Sequence, residues 1–282
     1  MSKHIFWLAS YPKSGNTWLR SIISSLIYSD DGIFNFELNK KIKQFPSIPF
    51  FQDLTQDYNN IHEIKKLWIL AQDKLNLDNK LKFLKTHHIN CTIDGYSFTN
   101  KENTTATIYI VRDPRNLVNS ISNHFSKNQT EAKEFLLKSN ILGASKNNIL
   151  PSDVATILGS WKEHYHYWTK KNDNLLLIKY EDIVVNPKIE LKKIIKFLIN
   201  FTKVQTNDAK EKNIINSTSF ESLRKMEENG KFTENVFDKI SNKKIKFFNQ
   251  GPNNKWQDSL KNEIRLEIEA KLNAEMKELG YL

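Results

Sequence analysis

Ile5-Phe6-Trp7-Leu8-Ala9-Ser10, then Tyr11-Pro12-Lys13-Ser14-Gly15-Asn16-Thr17, then Trp18-Leu19-Arg20-Ser21-Ile22-Ile23 is the stretch on which the fold turns. Its first part is a continuous apolar run of strand length, the pattern of a strand covered on both faces. Its last part places Leu19, Ile22, Ile23, Leu26 and Ile27 at helical spacing. Between them lies a short turn rich in Pro, Gly, Ser, Asn and Thr. A strand that feeds a helix through such a turn aims backbone N–H groups and the positive end of the helix dipole at one spot, which favours a phosphate or a sulfate. Lys13 adds a full charge, and Ser14, Asn16 and Thr17 add side-chain donors. A plain strand-to-helix turn, with Gly15 for positive φ and a capping Ser or Asn, is the competing reading of the same residues.

The common nucleotide loop, Gly-x-x-x-x-Gly-Lys-Ser/Thr, is absent, and no Gly-Lys-Ser/Thr occurs anywhere in the chain. An ordinary ATPase or GTPase is therefore disfavoured. Further apolar runs of strand length lie at Leu81–Lys85, leading to Thr86-His87-His88, at Ala106–Val111, leading to Arg112-Asp113-Pro114-Arg115, and at Leu175–Lys179, leading to Tyr180-Glu181-Asp182. Helical periods follow at Leu117, Val118, Ile121 and Phe125, and at Leu191, Ile194, Ile195 and Leu198. Strands alternating with helices imply βαβ units and a mainly parallel sheet. Ligands of such sheets bind beyond the carboxyl ends of the strands, and all four strands end in chemically capable groups: the Lys13 turn, Thr86-His87, Arg112 and Tyr180.

Elsewhere the pattern is weaker. Residues 29–79 read as loops and short helices rich in Phe, and residues 127–152 as a polar loop with a short helix around Glu131–Lys138. Val154, Ile157, Leu158, Trp161, Tyr165 and Trp168 predict a longer helix, and Leu260, Ile264, Ile268, Leu272 and Met276 a final one.

With 282 residues, 39% hydrophobic and 11% aromatic, the chain is long enough for one large α/β domain over residues 1–282. The net charge of +10 suits an anionic partner, although most of the lysines read as solvated surface. A single cysteine, Cys91, excludes an intrachain disulfide framework or a Cys-based zinc site and suits a reducing, cytoplasmic setting. The first strand begins too early to leave room for a signal peptide, and no apolar run is long enough to span a membrane. No ligand cluster for a metal and no RNA or DNA motif is evident.

Tyr11-Pro12-Lys13-Ser14-Gly15-Asn16-Thr17-Trp18 resembles the 5′-phosphosulfate loop of the sulfotransferases that use 3′-phosphoadenosine 5′-phosphosulfate (PAPS). Arg112-Asp113-Pro114-Arg115 with Ser120 resembles their 3′-phosphate motif. Gly159-Ser160-Trp161, Tyr180-Glu181-Asp182, Pro187-Lys188 and Thr218-Ser219-Phe220 match in order. The resemblance implies a P-loop-like three-layer α/β/α fold with a central, mainly parallel sheet flanked by helices. It also implies a sulfuryl transfer that needs no metal. Lys13, Ser14, Gly15, Asn16 and Thr17 would hold the 5′ end of the co-substrate, Arg112 and Ser120 its 3′-phosphate, and Trp18, Tyr180, Thr218 and Phe220 its adenine. His87 of Lys85-Thr86-His87 would be the general base, with His88 pointing elsewhere on an extended backbone. Lys13 would neutralise the leaving phosphate and Lys85 the transferring sulfuryl group.

The chain departs from the family at Asn249-Gln250-Gly251, where members carry Arg-Lys-Gly or Arg-Arg-Gly. Gln250 and Gly251 are kept as phosphate contacts; for the two missing cations, either Lys246 or Lys255 compensates or backbone and amide donors suffice. The acceptor, a small molecule, a sugar or a lipid, would meet residues 34–51 and 127–150, and the family's dimer segment is not evident. A nucleotide-dependent kinase and a non-catalytic relative of the family are the alternatives.

Overall fold

The run Ile5–Ala9 is strand β1, buried at every position. In this computed structural model, residues 4–143, 154–170, 174–232, 234, 236–237 and 244–282 are described. A five-stranded sheet is built from β1, β2 (Lys43–Gln44), β3 (Lys82–Thr86), β4 (Thr104–Val111) and β5 (Leu175–Lys179), in the order β2-β3-β1-β4-β5. β1 runs parallel to both β3 and β4, and β2 parallel to β3. The fold is thus α/β with a central parallel sheet, as expected. Ala9 is level with Thr86 on one side and with Tyr109 on the other, so the carboxyl ends of the central strands fall close together.

The chain divides into two compact units. One comprises residues 1–11, 42–110 and 138–177, the other residues 12–41, 111–137 and 178–282. The first holds the sheet, apart from the last residue of β4 and the last two of β5. Its core is aromatic. Trp7 lies 5.4 Å from Phe98, 5.7 Å from Phe45 and 6.2 Å from Trp168 between ring centres, and donates its indole N–H to Thr104 Oγ1 at 3.1 Å. Truncating a ring packed this way to Ala costs about 3–5 kcal/mol. Trp68, on helix α2 (Ile61–Asn76), meets the same Phe98 edge-on.

The second unit contains helix α1 (Asn16–Tyr28), helix α3 (Pro114–Phe125) and the helices of the carboxyl third. Phe34, Phe36, Leu38, Leu223, Phe232 and Phe248 form its buried cluster, with Trp18 and Phe220 packed against it. The aromatic segment 34–51 is therefore mostly core: Phe34 and Phe36 lie in this cluster, and Phe45 and Phe51 in the aromatic core of the other unit.

Three expectations need correction. The stretch 61–76, read as part of a loop-rich region, is one helix of 16 residues, capped by the Asn60 side chain, which accepts from His62 N–H. The helix carrying Trp161 starts only at that residue: α4 spans Trp161–Thr169, and Thr156–Ile157 is extended. Gly159 at φ +69° breaks the period there, and Ser160 and Glu163 form a reciprocal capping box that fixes the new start. The final helix is interrupted at Leu272, giving Asn262–Lys271 and Asn273–Glu278. The short helix expected near Glu131 spans Gln129–Leu137, and residues 144–152 of the adjoining loop lie outside the described residues.

Candidate active site

The turn after β1 is built for an anion. Lys13 has φ +67° and Gly15 φ +102°, so the backbone passes twice through the left-handed region. Alternation of this kind turns successive N–H groups towards one concavity. Gly15 is the N-cap of α1, no side chain caps that helix, and its first turn holds no acidic residue. Ser14, Asn16 and Thr17 are buried. The Ser14 hydroxyl is buried with no hydrogen-bond partner among the described residues, as is Nε of Arg112. Such buried donors are costly unless an acceptor meets them. Lys13 Nζ lies 3.8 Å above the ring of Phe247.

Arg112 follows the last residue of β4 and is 5% exposed. Its guanidinium donates to the Lys13 carbonyl and to Ser120 Oγ, each at 3.4 Å, and to the Gly251 carbonyl at 3.2 Å. It stacks 4.0 Å from the ring centre of Tyr180. The neighbouring carboxylates of Asp113 and Glu181 are engaged elsewhere. Asp113 caps α3 and pairs with Arg115, while Glu181 accepts from the Asp113 N–H at 3.1 Å and from the Tyr281 hydroxyl at 2.9 Å. Burial holds the Glu181 carboxyl above its usual range, against the lowering pull of those donors and of Arg112. Burial likewise raises the Tyr180 phenol, opposed by Arg112 and aided by Glu181, so that hydroxyl stays protonated.

Trp18 and Tyr180 meet edge-to-face at 5.4 Å. Trp18, Thr218, Phe220, Ile183, Leu191 and Pro252 are among the walls of a cavity of about 290 Å³. Thr218 donates its hydroxyl to the Ile214 carbonyl at 2.7 Å, which leaves the oxygen able to accept. Gly251 at φ +53° has no room for a Cβ, which would lie 2.1 Å from the Phe220 ring. Gln250, by contrast, is exposed, as are Lys246 and Lys255. Lys13, Arg112, Ser120, Tyr180 and Gly251 are thus joined by direct contacts, and Trp18, Thr218 and Phe220 share one cavity.

The remaining candidates belong to the first unit. Lys85 is buried within β3. His87 is half-buried, and its Nδ1 lies 2.8 Å from the Ser10 carbonyl. A carbonyl only accepts, so Nδ1 carries a proton, and in the neutral tautomer of that ring the lone pair falls on Nε2. His88 differs. It is fully buried, stacked on Phe98 at 4.1 Å with an interplanar angle of 5°, and edge-on to Trp68. Burial pushes its pKa down to about 3, so it is a neutral core residue. His164 on α4 is also buried, with its pKa pushed down to about 3 by burial. It bonds the Tyr109 hydroxyl at 2.9 Å through Nδ1 and the His87 carbonyl at 3.1 Å through Nε2.

Two further residues escaped sequence reading. Glu227 is buried and accepts the backbone N–H groups of Phe247 and Phe248 at 2.8 and 2.9 Å, holding the segment that leads to Gly251. Asn254 is buried and donates to Ser120 Oγ at 3.0 Å. No local pattern announces either one, because their partners lie about 20 and 134 residues away.

The sulfotransferase domain family matches residues 3–280, and the chain belongs to that family. It is 27% identical over 224 residues to mouse (Mus musculus) Sulfotransferase 1B1, a match covering 77% of this chain and 64% of that protein. It is 24% identical over 262 residues to Cytosolic sulfotransferase 13 of Arabidopsis thaliana, covering 90% and 71%. The match thus spans somewhat less than two thirds of the mouse protein. Among solved structures the chain is similar to mouse sulfotransferase SULT7A1 complexed with PAP, with a TM-score of 0.60, 20% identity, and 98% and 86% of the two chains covered. It is also similar to retinol dehydratase in a complex with retinol and PAP, with a TM-score of 0.62, 19% identity, and 98% and 82% covered. These likenesses establish the P-loop-like α/β fold. Among the described residues no group of His, Cys, Asp and Glu is placed to hold a metal ion, and no helix is long and apolar enough to cross a membrane.

Proposed function

We propose that this protein transfers a sulfuryl group from PAPS to a hydroxyl or amine of a small-molecule, sugar or lipid acceptor, releasing 3′,5′-diphosphoadenosine (PAP). The observation that carries the reading is the reach of one buried guanidinium. Arg112 touches both the Lys13 turn and Ser120, which joins the two anion sites that a doubly phosphorylated nucleotide requires. The orphaned donors Ser14 Oγ and Arg112 Nε fit such anions, and the Trp18–Phe220 cavity suits a flat base. Both solved relatives are complexes with PAP.

When bound, the nucleotide supplies an activated sulfuryl group. The chain supplies position and charge. N–H groups of the turn and the positive end of α1 hold the nonbridging oxygens at the 5′ end, and Lys13 compensates the charge that grows on the leaving phosphate. Lys85 compensates the charge of the group in transit. His87, with Nδ1 held by the Ser10 carbonyl, takes the acceptor proton at Nε2. Positioning and electrostatics carry most of the catalysis in group transfers of this kind. We further read residues 1–282 as one catalytic domain of a cytoplasmic protein.

Calorimetry with PAP and with ATP tests this reading: PAP binds the more tightly if it holds, and a preference for ATP makes the protein a nucleotide kinase instead. An acceptor screen with labelled donor then follows. In it, His87→Ala lowers turnover by about 10²-fold or more and leaves PAP affinity unchanged; full activity in that variant removes His87 from the mechanism.

A further inference from the structure

Asn254 sits at the meeting point of the two groups assigned to the 3′-phosphate. It is 5% exposed. Its amide Nδ2 donates to the Asn116 carbonyl at 2.7 Å and to Ser120 Oγ at 3.0 Å, which uses both of its hydrogens. Its Oδ1 accepts from Asn119 Nδ2 at 3.2 Å, so the amide cannot flip without losing all three contacts. Its backbone N–H donates to the Gly251 carbonyl at 3.2 Å, the same oxygen that receives Arg112. One residue therefore fixes Ser120 through its side chain and Arg112 through the turn it closes.

The consequence for Ser120 follows from counting. A hydroxyl has one hydrogen and two lone pairs. Asn254 and Arg112 both donate to the Ser120 oxygen, so its own hydrogen must point away from them. The Asn116 carbonyl, to which that hydroxyl can donate, is 3.4 Å distant and already takes the shorter bond from Asn254. The hydroxyl hydrogen is thus weakly held and ready for an anion at the Arg112 guanidinium. Asn116, Asn119, Ser120 and Asn254 are all uncharged, so Arg112 is the charged member of this set.

We infer that Asn254 is a positioning residue for the 3′-phosphate: it sets the hydroxyl of Ser120 as a donor beside Arg112, so that neutral hydrogen bonds supply selectivity for a 3′-phosphorylated nucleotide. The inference rests on the assignment of Arg112 and Ser120 to that phosphate, and the experiment separates the two. Calorimetry measures Kd for PAP and for 5′-AMP, which lacks the 3′-phosphate, in the wild-type protein, in Asn254→Ala and in Asn119→Ala. The ratio of the two constants cancels a general loss of folded protein or of adenine binding. In the wild type PAP binds the more tightly. Asn254→Ala lowers the ratio about tenfold, the size expected for disturbing a hydrogen bond to a charged group. Asn119→Ala, which only loosens the amide, lowers it by a smaller factor. A ratio unchanged in both variants, with PAP still preferred by the wild type, overturns the role of Asn254 alone. A wild type that does not distinguish PAP from 5′-AMP overturns the phosphate assignment and the inference with it.

Discussion

Two passages into a helix, both in the second unit, solve the same electrostatic problem in opposite ways. The turn 12–15 leaves the N-terminus of α1 without a side-chain cap and without an acid in its first turn. Its positive character is backbone character, spread over N–H groups and reinforced by Lys13. The passage 112–114 does the reverse. Asp113 caps α3 by accepting from Arg115 N–H at 2.9 Å, and Pro114 occupies the first turn, so the helix end is already satisfied. There the positive charge is that of a side chain, Arg112, which lies on the Tyr180 ring. A helix end left open can hold an anion whose oxygens spread over many weak donors. A guanidinium set in place by its neighbours holds one at a fixed angle. One passage holds no acid in the first turn of its helix, and the other is built upon one.

Asp113→Ala is the harshest way to break the contrast. It uncaps α3 and strips the buried Arg115 of a partner at 2.7 Å. Breaking a buried pair costs about 3–5 kcal/mol, which urea unfolding will read directly. A loss under 1 kcal/mol would mean that Glu269 and the Tyr281 carbonyl, the other partners of Arg115, suffice. Arg112→Lys tests the fixed angle rather than the charge. It weakens PAP about tenfold and 5′-AMP by a smaller factor, read by calorimetry; equal losses for both ligands would make the effect general rather than one of the 3′-phosphate.

Glu181→Gln probes the buried acid beneath the same passage. Burial raises the folded carboxyl's pKa above its unfolded value, so the folded state binds more protons between the two. Stability is therefore fully present below the unfolded pKa and is lost as pH rises towards the folded value, with a slope of at most about 1.4 kcal/mol per pH unit. The variant flattens that slope in denaturant midpoints measured across the interval; an unaltered slope assigns it to another group. Ser14→Ala sharpens the first passage. It removes a buried hydroxyl that has no partner among the described residues, so stability holds or rises slightly, while PAP affinity falls a few-fold. Unchanged affinity would leave anion binding there to the backbone and Lys13.

Much of this was legible in the residues themselves. The apolar run before Lys13, the helical period after it and the strand-to-helix passage at Arg112 are local patterns, and the structure keeps them. The sheet class followed from the alternation of strands and helices. Residues 61–76 were harder to read, because Phe and Pro just before them suggested loops and the apolar stripe of Ile64, Trp68 and Ala71 is narrow. The start of α4 was misread because Val154, Ile157 and Leu158 happen to continue the period of Trp161, whereas the backbone at Gly159 does not. The amide of Asn254 and the carboxylate of Glu227 had no local signature at all.

By itself the sequence determined the strands β1, β3, β4 and β5, the helices α1 and α3, and where a cation meets a turn that an anion favours. Periodicity and turn chemistry act over a few residues, so they can be read along the chain. Only the tertiary structure decided that His88 is stacked and neutral while Nδ1 of its neighbour His87 meets the Ser10 carbonyl, and that Ser120 and Gly251 share Asn254. Burial and hydrogen-bond angle are set by segments that chain order keeps apart and folding brings within 3 or 4 Å.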